Sequence, residues 1–112
     1  MRKVQAIIRE ERLDPVIERL VLIGVRGLTI IPVRGAGRSG GRREVYRGSA
    51  YRVVFVPKLL LEWCGPDHEA DAVVRAIQRQ GSTGKIGDGK IFVQPLEEAV
   101  RIRTGERGLD AV

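Results

Sequence analysis

Hydrophobic and polar positions along the chain fall into two similar halves. Val4-Gln5-Ala6-Ile7-Ile8-Arg9 alternates with the period of a half-buried strand. Asp14-Pro15 then reads as an N-cap followed by proline at the first helical position. Val16, Ile17, Leu20 and Val21 share one helical face before Gly24 ends the run. Leu28-Thr29-Ile30-Ile31-Pro32-Val33 is a β-branched run whose Pro32, lacking an N–H, places it at a sheet edge or a bulge. The second half repeats this order. Arg52 to Cys64 is a long strand, with Val53-Val54-Phe55-Val56 and Leu59-Leu60-Leu61 on either side of Pro57-Lys58. Pro66-Asp67 opens a helix with Ala70, Val73, Val74 and Ile77 at i, i+3, i+4 and i+7, closed by Gly81. Lys90 to Gln94 is the next strand, and Val100-Arg101-Ile102-Arg103-Thr104 is a short last one with both arginines on one face.

Strand, helix, strand, twice over, predicts a ferredoxin-like α+β domain spanning 1–112. Its antiparallel sheet would carry both helices on one face, with a long loop between the second and third strands. A chain of 112 residues supports one such two-layer core and not two. The other sheet face has no cover of its own and carries Ile31, Val33, Phe55, Val93 or their alternates according to register. Symmetric self-association is the commonest cover for such a face.

Two stretches break the pattern. From Gly35 to Ala50, glycines alternate with Arg38, Arg42, Arg43 and Arg47, and no element is legible. A connection of this length in a small domain is uncommon and usually functional, and Tyr46 and Tyr51 at its far end suit an interface. The other stretch is Thr83-Gly84-Lys85-Ile86-Gly87-Asp88-Gly89-Lys90. Three glycines in six positions let successive N–H groups line a nest for phosphate, two lysines add charge, and Asp88 can hold the loop or a hydroxyl. Gly84 to Lys90 matches the Walker loop G-x-x-x-x-G-K-[ST] up to its last letter, where Ile91 stands, and it leads into a strand instead of a helix. The segment 82–90 is therefore a candidate phosphate loop. Lys58, set between apolar runs, must either reach water or meet an anionic ligand.

Composition narrows the function. With 43% hydrophobic and 30% charged residues the chain is a folded one, and its net charge of +6 favours acidic partners: nucleotide, nucleic acid, an acidic protein face or an anionic membrane. One cysteine, Cys64, and one histidine, His68, exclude an internal disulfide and a zinc site built by the chain alone, and point to the cytoplasm. Met1 to Gln5 lacks the apolar stretch of a signal peptide, and no run approaches the roughly 18 residues of a membrane span. Catalysis finds little support: His68 sits at a helix start without a nucleophile near it in sequence, and Asp67, Glu69 and Asp71 suit a helix dipole. An RNA-binding ferredoxin-like module is the remote alternative. Arg47 to Val54 matches four of eight positions of K/R-G-F/Y-G/A-F-V-x-F/Y, but aromatics make up only 4% of the chain, too few for base stacking.

Taken together, Thr83 to Val93, Arg101-Ile102-Arg103-Thr104-Gly105-Glu106, Tyr46-Arg47-Gly48 with Tyr51, and the Gly35-x-Gly37-Arg38 turn resemble the signatures of the PII nitrogen-regulatory signalling proteins, over the whole chain. The resemblance implies a non-enzymatic homotrimer whose inter-subunit clefts bind ATP or ADP competitively. Gly87, Asp88, Gly89 and Lys90 would take the phosphates with Gly37 and Arg38. Thr29, Glu62 and Cys64 would lie near adenine and ribose, and Arg101 and Arg103 would reach in from the adjacent subunit. It further implies that 36–54 is a T-loop that docks into an ammonium channel or nitrogen-metabolism enzymes, with Arg47 entering the channel pore, and that membranes are met only through such a partner. Tyr51 and Ser49 are the positions that family members modify. The effector 2-oxoglutarate would be held through Mg²⁺ with Lys58, Gly87 and position 39. There the family usually has Gln and this chain has Ser39, a shorter and poorer ligand for a hard cation. The resemblance thus implies either an ATP, ADP and 2-oxoglutarate sensor or a variant that answers only to adenine nucleotides or bicarbonate.

Overall fold

The computed structural model describes residues 1–36, 43–46, 49–52 and 55–112. Its elements are β1 (Arg2–Arg9), a 3-10 turn (Glu10–Arg12), α1 (Leu13–Leu22), β2 (Thr29–Gly35), β3 (Arg43–Tyr46), β4 (Ser49–Arg52), β5 (Val56–Gly65), α2 (Asp67–Gly81), β6 (Lys90–Pro95) and a final 3-10 turn (Gly108–Ala111). Four strands form one sheet in the order β2-β5-β1-β6, with every neighbouring pair antiparallel. This is the ferredoxin-like arrangement expected from the double strand-helix-strand order. β2 lies at an edge, which is where Pro32 belongs.

Register decides which residues meet the helices. Ala6 pairs with Leu61 on one side and Ile91 on the other, so β1 offers Val4, Ala6 and Ile8 to the same face as Leu59, Leu61 and Trp63 of β5. These six are buried beneath Val16 and Leu20 of α1 and Ala70, Val73, Ala76 and Ile77 of α2. The other face carries Ile7, Leu60, Ile31, Val33 and Phe92 together with Lys3, Gln5, Arg9, Lys58, Glu62, Cys64 and Thr29. No element of the described chain packs over it as the helices do over the first face.

Several boundaries differ from the sequence reading. α1 starts at Leu13, because the 3-10 turn leads straight into it. Asp14 therefore lies inside the first turn instead of capping, and Val21 is 63% exposed, leaving Val16 and Leu20 as the core pair. Val93 opposes Val4 and so faces the helical side, and Phe92 takes the place on the open face assigned to it from sequence. Phe55 precedes β5, which begins at Val56 and not at Arg52. Where no element was legible between Gly35 and Ala50, β3 and β4 pair from Arg43↔Arg52 to Tyr46↔Ser49. The expected strand over Val100–Thr104 is a turn, closed by the Val100↔Arg107 bridge and by Gly105 N–H donating to Arg101 O at 2.8 Å. Positive φ at Gly105 (72°) turns the backbone there, and among the described residues no neighbouring strand offers a ladder to hold it extended.

The revised face of α1 has a direct consequence for stability. Leu20→Ala should cost about 2–5 kcal/mol by leaving a cavity, whereas Val21→Ala should stay within about 0.5 kcal/mol. Urea denaturation of the two variants checks this, and equal losses would show that Val21 is core.

Candidate functional site

The loop from Ser82 to Gly89 joins the end of α2 to the start of β6 at one corner of the sheet. Its shape is set by two contacts. Gly89, at φ 100°, lies so close to β1 that a Cβ there would fall 1.7 Å from the Ile7 carbonyl oxygen. Only glycine fits, for reasons both of φ and of space. The other contact is Asp88. Its carboxylate accepts hydrogen bonds from the Thr83 hydroxyl, the Thr83 N–H at 2.7 Å, the Gly84 N–H at 3.0 Å and the Arg9 Nε at 2.8 Å. Arg9 also donates through Nη2 to Ile86 O at 2.9 Å, so one guanidinium at the end of β1 holds the loop at two points. The Thr83 hydroxyl first, then Arg9 and the two amides, hold the Asp88 carboxyl far below the usual carboxylate range.

Lys58 is 6% exposed and lies opposite Arg9 and Val33 on the open sheet face. Its ammonium donates to the Gly87 carbonyl. The buried lysine thus neither reaches water nor lacks a partner; the loop's own backbone satisfies it. Beside it is a cavity of about 340 Å³ lined by Gly35 and Ala36 at the end of β2, Lys58, and Gly87, Gly89 and Lys90 of the loop, with Ile7 between them. Three stretches far apart in sequence meet there: a glycine turn, a buried cation, and a loop with φ of 101° and 100° at Gly87 and Gly89. The chemistry on offer is anion binding through backbone amides and two lysines.

Other expected residues lie further off. Thr29 pairs directly with Glu62, and Cys64 stands two places beyond on the same face. Glu62 is four positions along β5 from Lys58, about 13 Å. Glu62 accepts from Gln5 Nε2 at 2.8 Å and lies 3.6 Å from Lys3 Nζ, and burial raises the Cys64 thiol above its ordinary value. Arg101 and Arg103 do not line the cavity. They follow the far end of β6, where Arg101 pairs with Glu106 at 2.9 Å. Gly37, Arg38, Ser39 and Arg47, and the side chains of Ser49 and Tyr51, lie outside the described residues. His68 is 81% exposed on the first turn of α2. Among the described residues no group of three His, Cys, Asp or Glu side chains is placed to hold a metal ion, and no helix is long and apolar enough to cross a membrane. Sequence reasoning missed Arg9, whose part depends on the register that sets it opposite Lys58.

Sheet order and corner loop together define a ferredoxin-like α+β protein with a glycine-built loop and a cavity beside its open face. Comparison with known proteins takes this further. The family model described as nitrogen regulatory protein P-II matches residues 1–106. Proteins of that name from Rhizobium meliloti (strain 1021) and Cereibacter sphaeroides are 49% and 51% identical over 112 residues, covering 100% of both chains. A crystal structure of Arabidopsis thaliana PII bound to citrate superposes with a TM-score of 0.80 at 38% identity, covering 99% of this chain and 91% of that one. The chain belongs to the P-II family of nitrogen-regulatory signal proteins.

Because the folded Asp88 pKa lies below the unfolded value, its bonds stabilise the loop above the ordinary carboxylate range and are lost only as pH falls through the lowered value. The Asp88 carboxyl carbon should therefore show no titration by NMR between about pH 7 and about pH 4, near the ordinary value of free Asp. In Asp88→Asn, exchange of the Thr83 and Gly84 amides should quicken by about tenfold as their ionised acceptor is lost. Unchanged exchange would remove Asp88 from the centre of the loop.

Proposed function

We propose that this chain senses adenine nucleotides and passes their binding state to nitrogen-metabolism targets. The observation that carries the reading is the cavity in which Gly35, Ala36, Lys58, Gly87, Gly89 and Lys90 converge. Gly87, Asp88 and Gly89 would offer loop backbone to the phosphates of ATP or ADP and Lys90 its charge, with Gly37 and Arg38 continuing from Ala36. Thr29, Glu62 and Cys64 would lie toward adenine and ribose.

The reading also calls for a trimer. Arg101 and Arg103 stand away from their own chain's cavity, and an open sheet face carrying Ile7, Leu60, Ile31, Val33 and Phe92 needs a cover. A neighbouring subunit would answer both needs. One domain would then span 1–112, with 82–90 as its phosphate loop.

The switch would work through competition for Lys58. Its ammonium is bonded to the Gly87 carbonyl, and an anion entering the cavity would compete for that proton donor. A ligand shifts such an equilibrium only by its different affinity for the two arrangements. The Arabidopsis relative's bound citrate, a polycarboxylate, supports a carboxylate effector such as 2-oxoglutarate. Mg²⁺ would be carried by the nucleotide phosphates and the effector, since the described residues offer no acidic cluster for it. Ser39 favours a second reading, in which the response to 2-oxoglutarate is weak and adenine nucleotides or bicarbonate dominate. The 36–54 segment would be the T-loop that meets an ammonium channel or enzymes, Arg47 its pore-entering side chain, and Tyr51 or Ser49 its modification position.

Calorimetry with ATP, ADP and AMP, each with and without 2-oxoglutarate or bicarbonate, tests the proposal. ATP and ADP should compete, and Lys90→Ala or Arg103→Ala should each weaken ATP by about tenfold or more while leaving the assembly intact. Unchanged ATP affinity in both variants would remove the site. Full Mg-ATP-dependent 2-oxoglutarate binding would remove the part played by Ser39.

A further inference from the structure

The outer side of the helical layer, opposite the sheet, carries a second cationic feature that the nucleotide reading does not use. Between α1 and α2 is a notch of about 160 Å³. Ala72 and Ala76, one turn apart on α2, line it with small side chains. Arg75 and Arg79, also one turn apart, line it from the same helix, and Arg19 with Ile23 line it from α1. The helices run in opposite directions, since Arg12 before α1 donates to the Gln80 carbonyl at the end of α2 at 2.7 Å.

No acidic side chain lines the notch. Among the described residues Arg19, Arg75 and Arg79 take part in no ion pair and no side-chain hydrogen bond, whereas Arg12 in the turn before α1 has one. Arg19 and Arg79 sit in the last turns of their helices, where a cation suits the dipole. Arg75 has no such reason to be there. It lies one turn after Asp71, at the spacing of a helical ion pair, yet the two are not paired within 4.0 Å. Three guanidiniums around one alanine-lined hollow concentrate positive charge there, although solvent screens it.

We propose that this notch is a site for a phosphate-type oxyanion, either the free ion or the phosphoryl end of a small metabolite. Guanidinium forks match the oxygen spacing of such groups and bind them bidentately. The alanines leave room for a tetrahedral ion, and Ile23 supplies an apolar edge for a short carbon substituent. The site is distinct from the corner cavity, since the two share no lining residue.

The test is an amide NMR titration of the full-length chain with inorganic phosphate, pyrophosphate and glycerol 3-phosphate at low ionic strength, where screening is weak. Saturable shifts are expected for the amides from Ala72 to Gln80 and around Arg19. In Arg75→Gln/Arg79→Gln these should need about tenfold more ligand or vanish, while shifts at 83–90 persist. A preference for glycerol 3-phosphate would identify a phosphoester, and equal response to phosphate would identify the free ion; either supports the site. No saturable shift at the notch, or the same shift in the double variant, overturns it. Binding only to phosphatidylserine vesicles or to a polyglutamate peptide also overturns it, because the notch would then be part of a macromolecular face.

Discussion

The backbone of Gly89 pressed against the carbonyl of Ile7 is the contact on which the rest of the corner depends. β1, like β5, has neighbours on both sides and helices above, so its backbone is fixed by the core. Gly89 transfers that rigidity to the loop. From there Arg9 holds Asp88 and Ile86, Lys58 holds Gly87, and Lys90 starts the next strand in register with Ile7. A loop with three left-handed glycines would be costly to order by itself, and here the sheet supplies the order. The nest is stiff where it meets β1 and adjustable at Gly87, whose carbonyl is bonded to a single flexible lysine.

Much of this was legible from residues alone. Alternation in Val4–Arg9, the helical spacing of Ala70, Val73, Val74 and Ile77, and Pro32 at an edge each report one local rule, and the fold obeys them. Other features were hidden for definite physical reasons. Arg9 looks like an ordinary strand terminus until register sets it opposite Lys58. Val93 and Phe92 are interchangeable by hydropathy, and only pairing with Val4 and Gln5 tells them apart. The stretch at Val100 alternates like a strand, but alternation supplies no partner, and without one Gly105 and the Arg101–Glu106 pair close a turn. The corner was legible as a set of residue types, and the separation of Arg101 and Arg103 from it was expected from the resemblance, while the bond from Lys58 to the Gly87 carbonyl was not legible.

Two groups of cationic side chains stand apart in this small protein. At the corner are Lys58 and Lys90 beside the loop backbone, and between the helices are Arg19, Arg75 and Arg79 around a groove lined by alanines. The sheet's open face contributes a third element, the Gln94–Gln5–Glu62 chain of hydrogen bonds at 3.1 and 2.8 Å, which ties β6, β1 and β5 together on the side without helices. Polar cross-links of this kind keep an uncovered face in one shape before any partner arrives.

Pro32 has a consequence beyond marking an edge. β2 ends the sheet as a strand of 7 residues, and Pro32 is its middle residue, directly after Ile30 and Ile31. A proline there breaks the row of donors that an incoming strand would need along the full edge. Strand addition along this edge is thereby interrupted at its centre, and one residue without an N–H guards the sheet against open-ended growth.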